Sequence, residues 1–149
     1  MTLSNIVSPL MVIADRFFIS YVLGASVVAY YTIPFDLVIR FLILPASLTS
    51  VLFPRFSSLI QNDKDATIDL YKKSLKNVFV IMLILTILTI LFSHFGLKIW
   101  INEDIANKSY KLLIILSIGV LFNSLAQIPY SLIQAAGNVK LTSLLHVSE

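Results

Sequence analysis

The sequence predicts an all-α fold, a polytopic bundle of transmembrane helices, and three observations carry that prediction. Of the 149 residues 58% are hydrophobic and 13% charged, and the mean hydropathy is +0.91, well above that of a water-soluble domain. Eight acids and eleven bases cannot supply a polar shell for a soluble core of this size. Four stretches reach the roughly 20 apolar residues that a helix needs to cross a bilayer.

Those stretches are 3–23, 27–52, 78–100 and 112–133, within a single membrane domain, 1–149. The first has no Lys or Arg before Arg16. It therefore lacks the basic start of a cleavable signal peptide and is expected to stay in the mature protein. Only Gly24, Ala25 and Ser26 join it to the second, which forces the two into antiparallel contact. The second would span about 39 Å if straight. It must tilt or bend, with Pro34 and Pro45 as the places to do so and Pro54 expected to end it.

The polar stretch 61–76 follows, the largest loop in this reading. Its Ile68, Leu70, Tyr71 and Leu75 predict a short amphipathic helix lying on the membrane surface. In 78–100 the hydroxyls of Thr86, Thr89 and Ser93 can bond back to their own helix, so no polar face is expected and this helix should be the most lipid-exposed. Beyond 112–133, Gly137 and Asn138 read as a helix stop, and 139–149 resumes an apolar rhythm as the start of a fifth helix.

Orientation follows from the bases. Arg55, Lys64, Lys72, Lys73, Lys76 and Lys140 fall on one side, and Lys98, Lys108 and Lys111 on the other beside Glu103 and Asp104. This bias assigns the 61–76 loop to the cytoplasm and the Gly24 turn and 101–110 to the outside. Trp100, Tyr110, Tyr30 and Tyr31 sit near the outward ends, where interfacial aromatics belong.

Several function classes drop out. No cysteine is present, which excludes disulfides, thiolate metal sites and cysteine nucleophiles. A net charge of +3 is accounted for by topology, and no basic stretch interleaved with aromatics suggests nucleic acid. His94 and His146 lack metal-ligand spacing, and Asn107-Lys108-Ser109 matches a glycosylation sequon too short to carry a role. There is no phosphate loop, catalytic triad or carboxylate pair in a soluble domain. Neither an enzyme, nor a catalytic residue, nor a cofactor, nor a metal is expected.

The sharpest chemical signal is charge inside apolar spans, since each such residue costs a few kcal/mol or more unless paired or hydrated. Asp15 and Arg16 lie in the first stretch; Asp36 and Arg40 lie in the second at i, i+4 with the acid first, an order that favours a pair. Counted from Ala25, Arg16 and Asp36 reach similar depths, about 14 and about 17 Å. The four therefore form a structural ion-pair network, one wall of a hydrated cavity, or both. In the second case Arg16 or Arg40 would attract an anionic pyrophosphate, and Asp15 or Asp36 would serve ion coupling. Asn123, Gln127, Tyr130 and Gln134 share one face of the last full stretch. Amides and a phenol there act as interhelical hydrogen-bond partners or as a lining for sugar hydroxyls.

The run from Ser4 to Ser57 carries Ser8-Pro9, Asp15-Arg16-Phe17, Leu23-Gly24-Ala25, Ala29-Tyr30-Tyr31, Pro34, Pro45 and Leu52-Phe53-Pro54. Later come Ile128-Pro129-Tyr130 and Gln134-Ala135-Ala136-Gly137-Asn138. In order and spacing these resemble the Wzx-type flippases of O-antigen and capsule assembly, within the superfamily that includes the MATE exporters. The resemblance covers nearly the whole chain and implies a piece of a two-bundle transporter of about twelve helices, similar to helices seven to ten plus the start of eleven. It further implies an undecaprenyl-pyrophosphate-linked oligosaccharide as cargo, carried across a bacterial plasma membrane, with a cationic cavity to which Arg16 and Arg40 could contribute. Its partners would be the bilayer, the lipid-linked oligosaccharide, the transporter's remaining helices and the polysaccharide polymerase machinery. Two other readings stay open, an ion-coupled MATE-like exporter of small cations and a structural membrane subunit.

Overall fold

In a computed structural model, Tyr21 and residues 25–137 are described. Helix α1 is Ala25–Ile39, a 3-10 turn covers Arg40–Leu42, and α2 is Ile43–Asn62; α3 is Lys64–Trp100 and α4 is Glu103–Ala135. No strand occurs among the described residues. Three helical segments are long and apolar enough to cross a membrane: Val27–Asn62, Lys64–Trp100 and Glu103–Ala135. The first expected crossing, 3–23, its contact with the second and the start of a fifth helix in 139–149 lie outside the described residues.

The element boundaries follow from single residues. Asp63 caps α3, its carboxylate accepting from Ala66 N–H at 2.9 Å, and Asn102 caps α4 by accepting from Ile105 N–H at 2.8 Å. Each satisfies a backbone donor that has no intrahelical partner. Only Ile101 and Asn102 separate α3 from α4, so the two form a tight antiparallel hairpin. Helix α4 stops at Gly137, whose φ of +75° suits a residue without Cβ, and whose N–H bonds the Gln134 carbonyl at 3.1 Å.

Two expectations are corrected. Residues Lys64 onward do not form a separate surface helix: they are the first turns of α3, 37 residues or about 55 Å long. Such a length overhangs a hydrocarbon core of about 30 Å. Pro54 does not end its helix either, because α2 continues through it to Asn62. One lost backbone bond there is offset by the intact bonds on either side. The prolines act differently elsewhere. Pro45 has no N–H for the Phe41 carbonyl and its ring crowds that carbonyl, and the helix tightens to 3-10 at Arg40–Leu42. Pro34, fully buried, leaves α1 unbroken.

The hairpin α3–α4 is the spine, and α1 and α2 lie against α4. On α4 the buried residues are Ala106, Ser109, Leu113, Ser117, Leu121, Ser124, Ile128 and Ser131, steps of three and four that trace one stripe. The facing stripe of α3 contains Thr67, Ser74, Val78, Met82, Thr86, Ser93 and Leu97. Alternating small hydroxyl residues with larger apolar ones lets two backbones approach closely where lipid gives helices no hydrophobic reason to associate. The hydroxyls bond mainly to their own helix, as Ser124 Oγ does to the Val120 carbonyl at 2.7 Å and Thr89 Oγ1 to Leu85 at 2.8 Å. Helix α3 thus has a packed small-residue face that its sequence did not suggest, while its other sides expose a long series of apolar residues from Phe79 to Trp100.

The core is divided in two. An upper group, towards Tyr30 and the Ile101–Asn102 link, holds Val38, Leu97, Ala106 and Leu113. A lower group, towards Asn62, holds Leu52, Phe56, Val78, Met82, Leu121 and Ile128. Phe41 and Val120, both partly buried, pack against both.

Candidate functional site

Asp15 and Arg16 lie outside the described residues. Asp36, on α1, and Arg40, opening the 3-10 turn, are both exposed. Among the described residues no ion pair joins them; the pairs present are Lys98–Glu103 and Lys108–Asp104. The i, i+4 expectation for Asp36 and Arg40 assumes one regular helix. Arg40 instead opens the 3-10 turn, so the regular helix that carries Asp36 ends at Ile39.

Helix α4 presents three faces, each about a third of a turn from the next. One is the buried serine-rich stripe. A second exposes Ile115, Ile118 and Phe122 at 66%, 41% and 66%, as a lipid-facing side should. The third carries the polar series, with Asn123 and Gln134 exposed and Gln127 and Tyr130 half-buried. This polar face coincides neither with the buried serine-rich stripe nor with the apolar side. Leu112 and Leu116 continue it upward, half-buried.

Sequence reasoning missed a polar cluster at the upper end. Tyr30 of α1 donates its hydroxyl to Asp104 Oδ2 at 2.6 Å and accepts from Lys108 Nζ at 2.9 Å. Lys108 also pairs with Asp104 Oδ1 at 2.8 Å and stands 4.6 Å from the centre of the Tyr30 ring. The cluster precedes the apolar run that begins at Leu112. Hydrogen bonds from Lys108 and Tyr30 hold the Asp104 carboxyl below the ordinary carboxylate range, and the same contacts push the Lys108 ammonium up. Beneath it, Ser109 Oγ donates to the Tyr30 carbonyl at 2.9 Å. That carbonyl is the one Pro34 cannot serve, since Pro34 has no N–H to send back four residues. The available signal was the i, i+4 spacing of Asp104 and Lys108, acid first. His94, read as an ordinary interfacial histidine, faces Asn107 across the hairpin with Nε2 2.8 Å from Oδ1. Its ring meets Tyr110 edge-on at 5.5 Å. Asn107, the sequon residue, is thus engaged in helix–helix contact.

Between α1, the 3-10 turn and α3 runs an apolar groove of about 390 Å³, lined by Leu37, Phe41, Leu85, Phe92, Gly96 and Trp100 among others. Among the described residues, no group of His, Cys, Asp and Glu has the arrangement of a metal site.

Three long apolar helices make this a multi-pass membrane protein, and comparison with known proteins agrees. A Shigella flexneri protein named "Putative O-antigen transporter" is 42% identical over all 149 residues of the chain, which spans 35% of that protein's length. No solved structure matches. The MatE family model matches residues 1–148, all but the last residue, and the chain belongs to the MatE family.

Proposed function

We propose that the chain is part of a flippase that carries a lipid-linked oligosaccharide, an undecaprenyl-pyrophosphate conjugate, across the bacterial plasma membrane. The observation that carries this reading is the similarity to the O-antigen transporter over the whole chain. The polar face of α4 supports it. Asn123 is exposed and Gln127 and Tyr130 are half-buried on that face, and amides with a phenol suit sugar hydroxyls. Arg40 is exposed on the bundle and, with Arg16, would attract the pyrophosphate, a charge-assisted and potentially bidentate contact. Asp15 and Asp36 would set the balance of charge in the cavity or couple an ion. The chain supplies four crossings to a two-bundle transporter, 3–23 being the fourth beside the three described, with 61–76 towards the cytoplasm.

The second reading, an ion-coupled exporter of small cations, is favoured by the family match and by the presence of an acid, Asp36, within a spanning helix. The sign of the cavity separates the two: bases that cannot be lost favour the anionic cargo, acids that cannot be lost favour a cation. Complementation tests it. A full-length version carrying this chain is placed in a flippase-deficient strain, and Arg16→Ala, Arg40→Ala and Asn123→Ala are compared at equal protein levels. The flippase reading expects surface polysaccharide from the parent and its loss in the arginine variants. A parent that restores no polysaccharide while lowering cationic-drug accumulation would move the exporter first.

A further inference from the structure

The upper end of the bundle is fastened twice through one residue. The Tyr30 hydroxyl bridges Asp104 and Lys108, and the Tyr30 carbonyl receives Ser109. Both fastenings join α1 to the first turns of α4. Below them, among the described residues, α1 packs on the upper core through Val38 and the partly buried Ile33 and Leu37 against Leu97, Ala106 and Leu113. At its lower end the backbone tightens into the 3-10 turn Arg40–Leu42, where Ile43 N–H bonds the Arg40 carbonyl three residues back. A 3-10 stretch inside a spanning helix is a place where bending costs least. It also coincides with the division between the two cores, which Phe41 and Val120 bridge. An arm held at its tip by polar bonds, and joined at its base by an irregular turn lying between two separate cores, has the parts of a two-state element.

We propose that Tyr30, Asp104, Lys108 and Ser109 form a latch, and that Arg40–Leu42 is the hinge on which the arm Ala25–Ile39 swings away from α4 when the latch releases. Among the described residues, opening breaks the upper core and leaves the lower core and the α3–α4 seam intact. The groove against Leu37 and Phe41 gives the base of the arm room to rotate. This device makes no assumption about cargo, so its failure and that of the transport reading are separable.

The test uses the absence of cysteine in the chain. Ala106→Cys places a thiol where the side chain is 0% exposed beneath the arm, and Ser74→Cys places one at 5% in the α3–α4 seam near the lower end. Each is introduced singly into the whole chain in lipid nanodiscs, and its reaction rate with a water-soluble maleimide is measured. Breaking the latch by Tyr30→Phe or Asp104→Asn should accelerate labelling at position 106 by about tenfold, the effect of losing a charge-assisted hydrogen bond, and leave position 74 unchanged. Adding Pro45→Ala, which returns a helical donor to the Phe41 carbonyl, should stiffen the hinge and slow labelling at 106 again. Equal rates with and without Tyr30 and Asp104 would overturn the latch. Acceleration at both positions would overturn it too, by showing general loosening. A fast rate at 106 that ignores Pro45→Ala would remove the hinge.

Discussion

Asp104 and Lys108 lie 2.8 Å apart on α4, whereas Asp36 and Arg40, with the same spacing and the same order of charge, form no pair with each other among the described residues. The contrast comes from the backbone beneath them. Asp104 and Lys108 sit in the opening turns of a helix capped by Asn102, where four residues reliably return a side chain to its starting face. Asp36 and Arg40 sit where a regular helix ends: α1 stops at Ile39 and Arg40 opens the 3-10 turn that precedes Pro45. A spacing rule is therefore a statement about a continuous helix, and a proline just downstream is the signal to withhold it. The two sites also differ in their surroundings. The upper cluster joins α1 to α4 through Tyr30, while Arg40 is exposed.

The same division runs through the packing, and it can be tested by substitutions of decreasing effect. The lower core is closed: Ile128 is 0% exposed among Phe56, Val78, Met82 and Leu121. Ile128→Ala should destabilise the bundle by about 2–4 kcal/mol, mostly through the cavity left behind, since lipid reduces the transfer contribution. Thermal unfolding in detergent measures it, and a loss of less than about 1 kcal/mol would mean that the lower core collapses around the gap. At the upper end Ser109→Ala should cost less, about 1–2 kcal/mol, because it leaves the Tyr30 carbonyl orphaned beside Pro34. Pairing it with Pro34→Ala, which restores an intrahelical donor, should recover part of that loss. Independent, additive effects in this double-mutant comparison would break the link drawn between the proline and the serine.

The groove between the two regions gives a change of opposite sign. A Cβ built on Gly96 meets nothing within 4 Å, and the residue is helical, about one turn before α3 ends at Trp100. Gly96→Ala should therefore stabilise by about 0.5–1 kcal/mol through helix propensity alone. A decrease in the midpoint instead would show that another segment packs against this glycine.

What could be read from the sequence divides along physical lines. The all-helical membrane architecture was legible because apolar runs of bilayer length are hard to explain otherwise. The stop at Gly137 was legible because the position needs positive φ. Hidden features depended on tertiary contact. The serine stripe of α4 is spread one residue per turn or two among leucines and isoleucines, and α3 looked faceless until its threonines and serines met that stripe. The Tyr30 cluster joins residues 74 and 78 positions apart, a distance no local pattern spans. Prolines were half legible: their cost to the backbone is certain, but whether a neighbour such as Ser109 repairs it is decided by packing.

The smallest effect expected concerns charge at the upper end. Asp104 is held below its ordinary value by Lys108 and Tyr30, so what its ionised form adds to stability is fully present above about pH 4, the unfolded carboxylate value. That contribution fades as the pH falls through the lower folded value. Lys108 is raised, so its contribution is complete below about pH 10.5 and fades only above it. Between those limits this cluster should make the midpoint independent of pH. Both side chains are more than half exposed, so added salt should weaken the pair through screening. Asp104→Asn should then lower the midpoint measurably at low salt and negligibly at about 1 M, where the Debye length is about 3 Å. A difference that persists undiminished in high salt would mean that Asp104 acts chiefly as a hydrogen-bond acceptor for Tyr30 and not as a partner to the charge on Lys108.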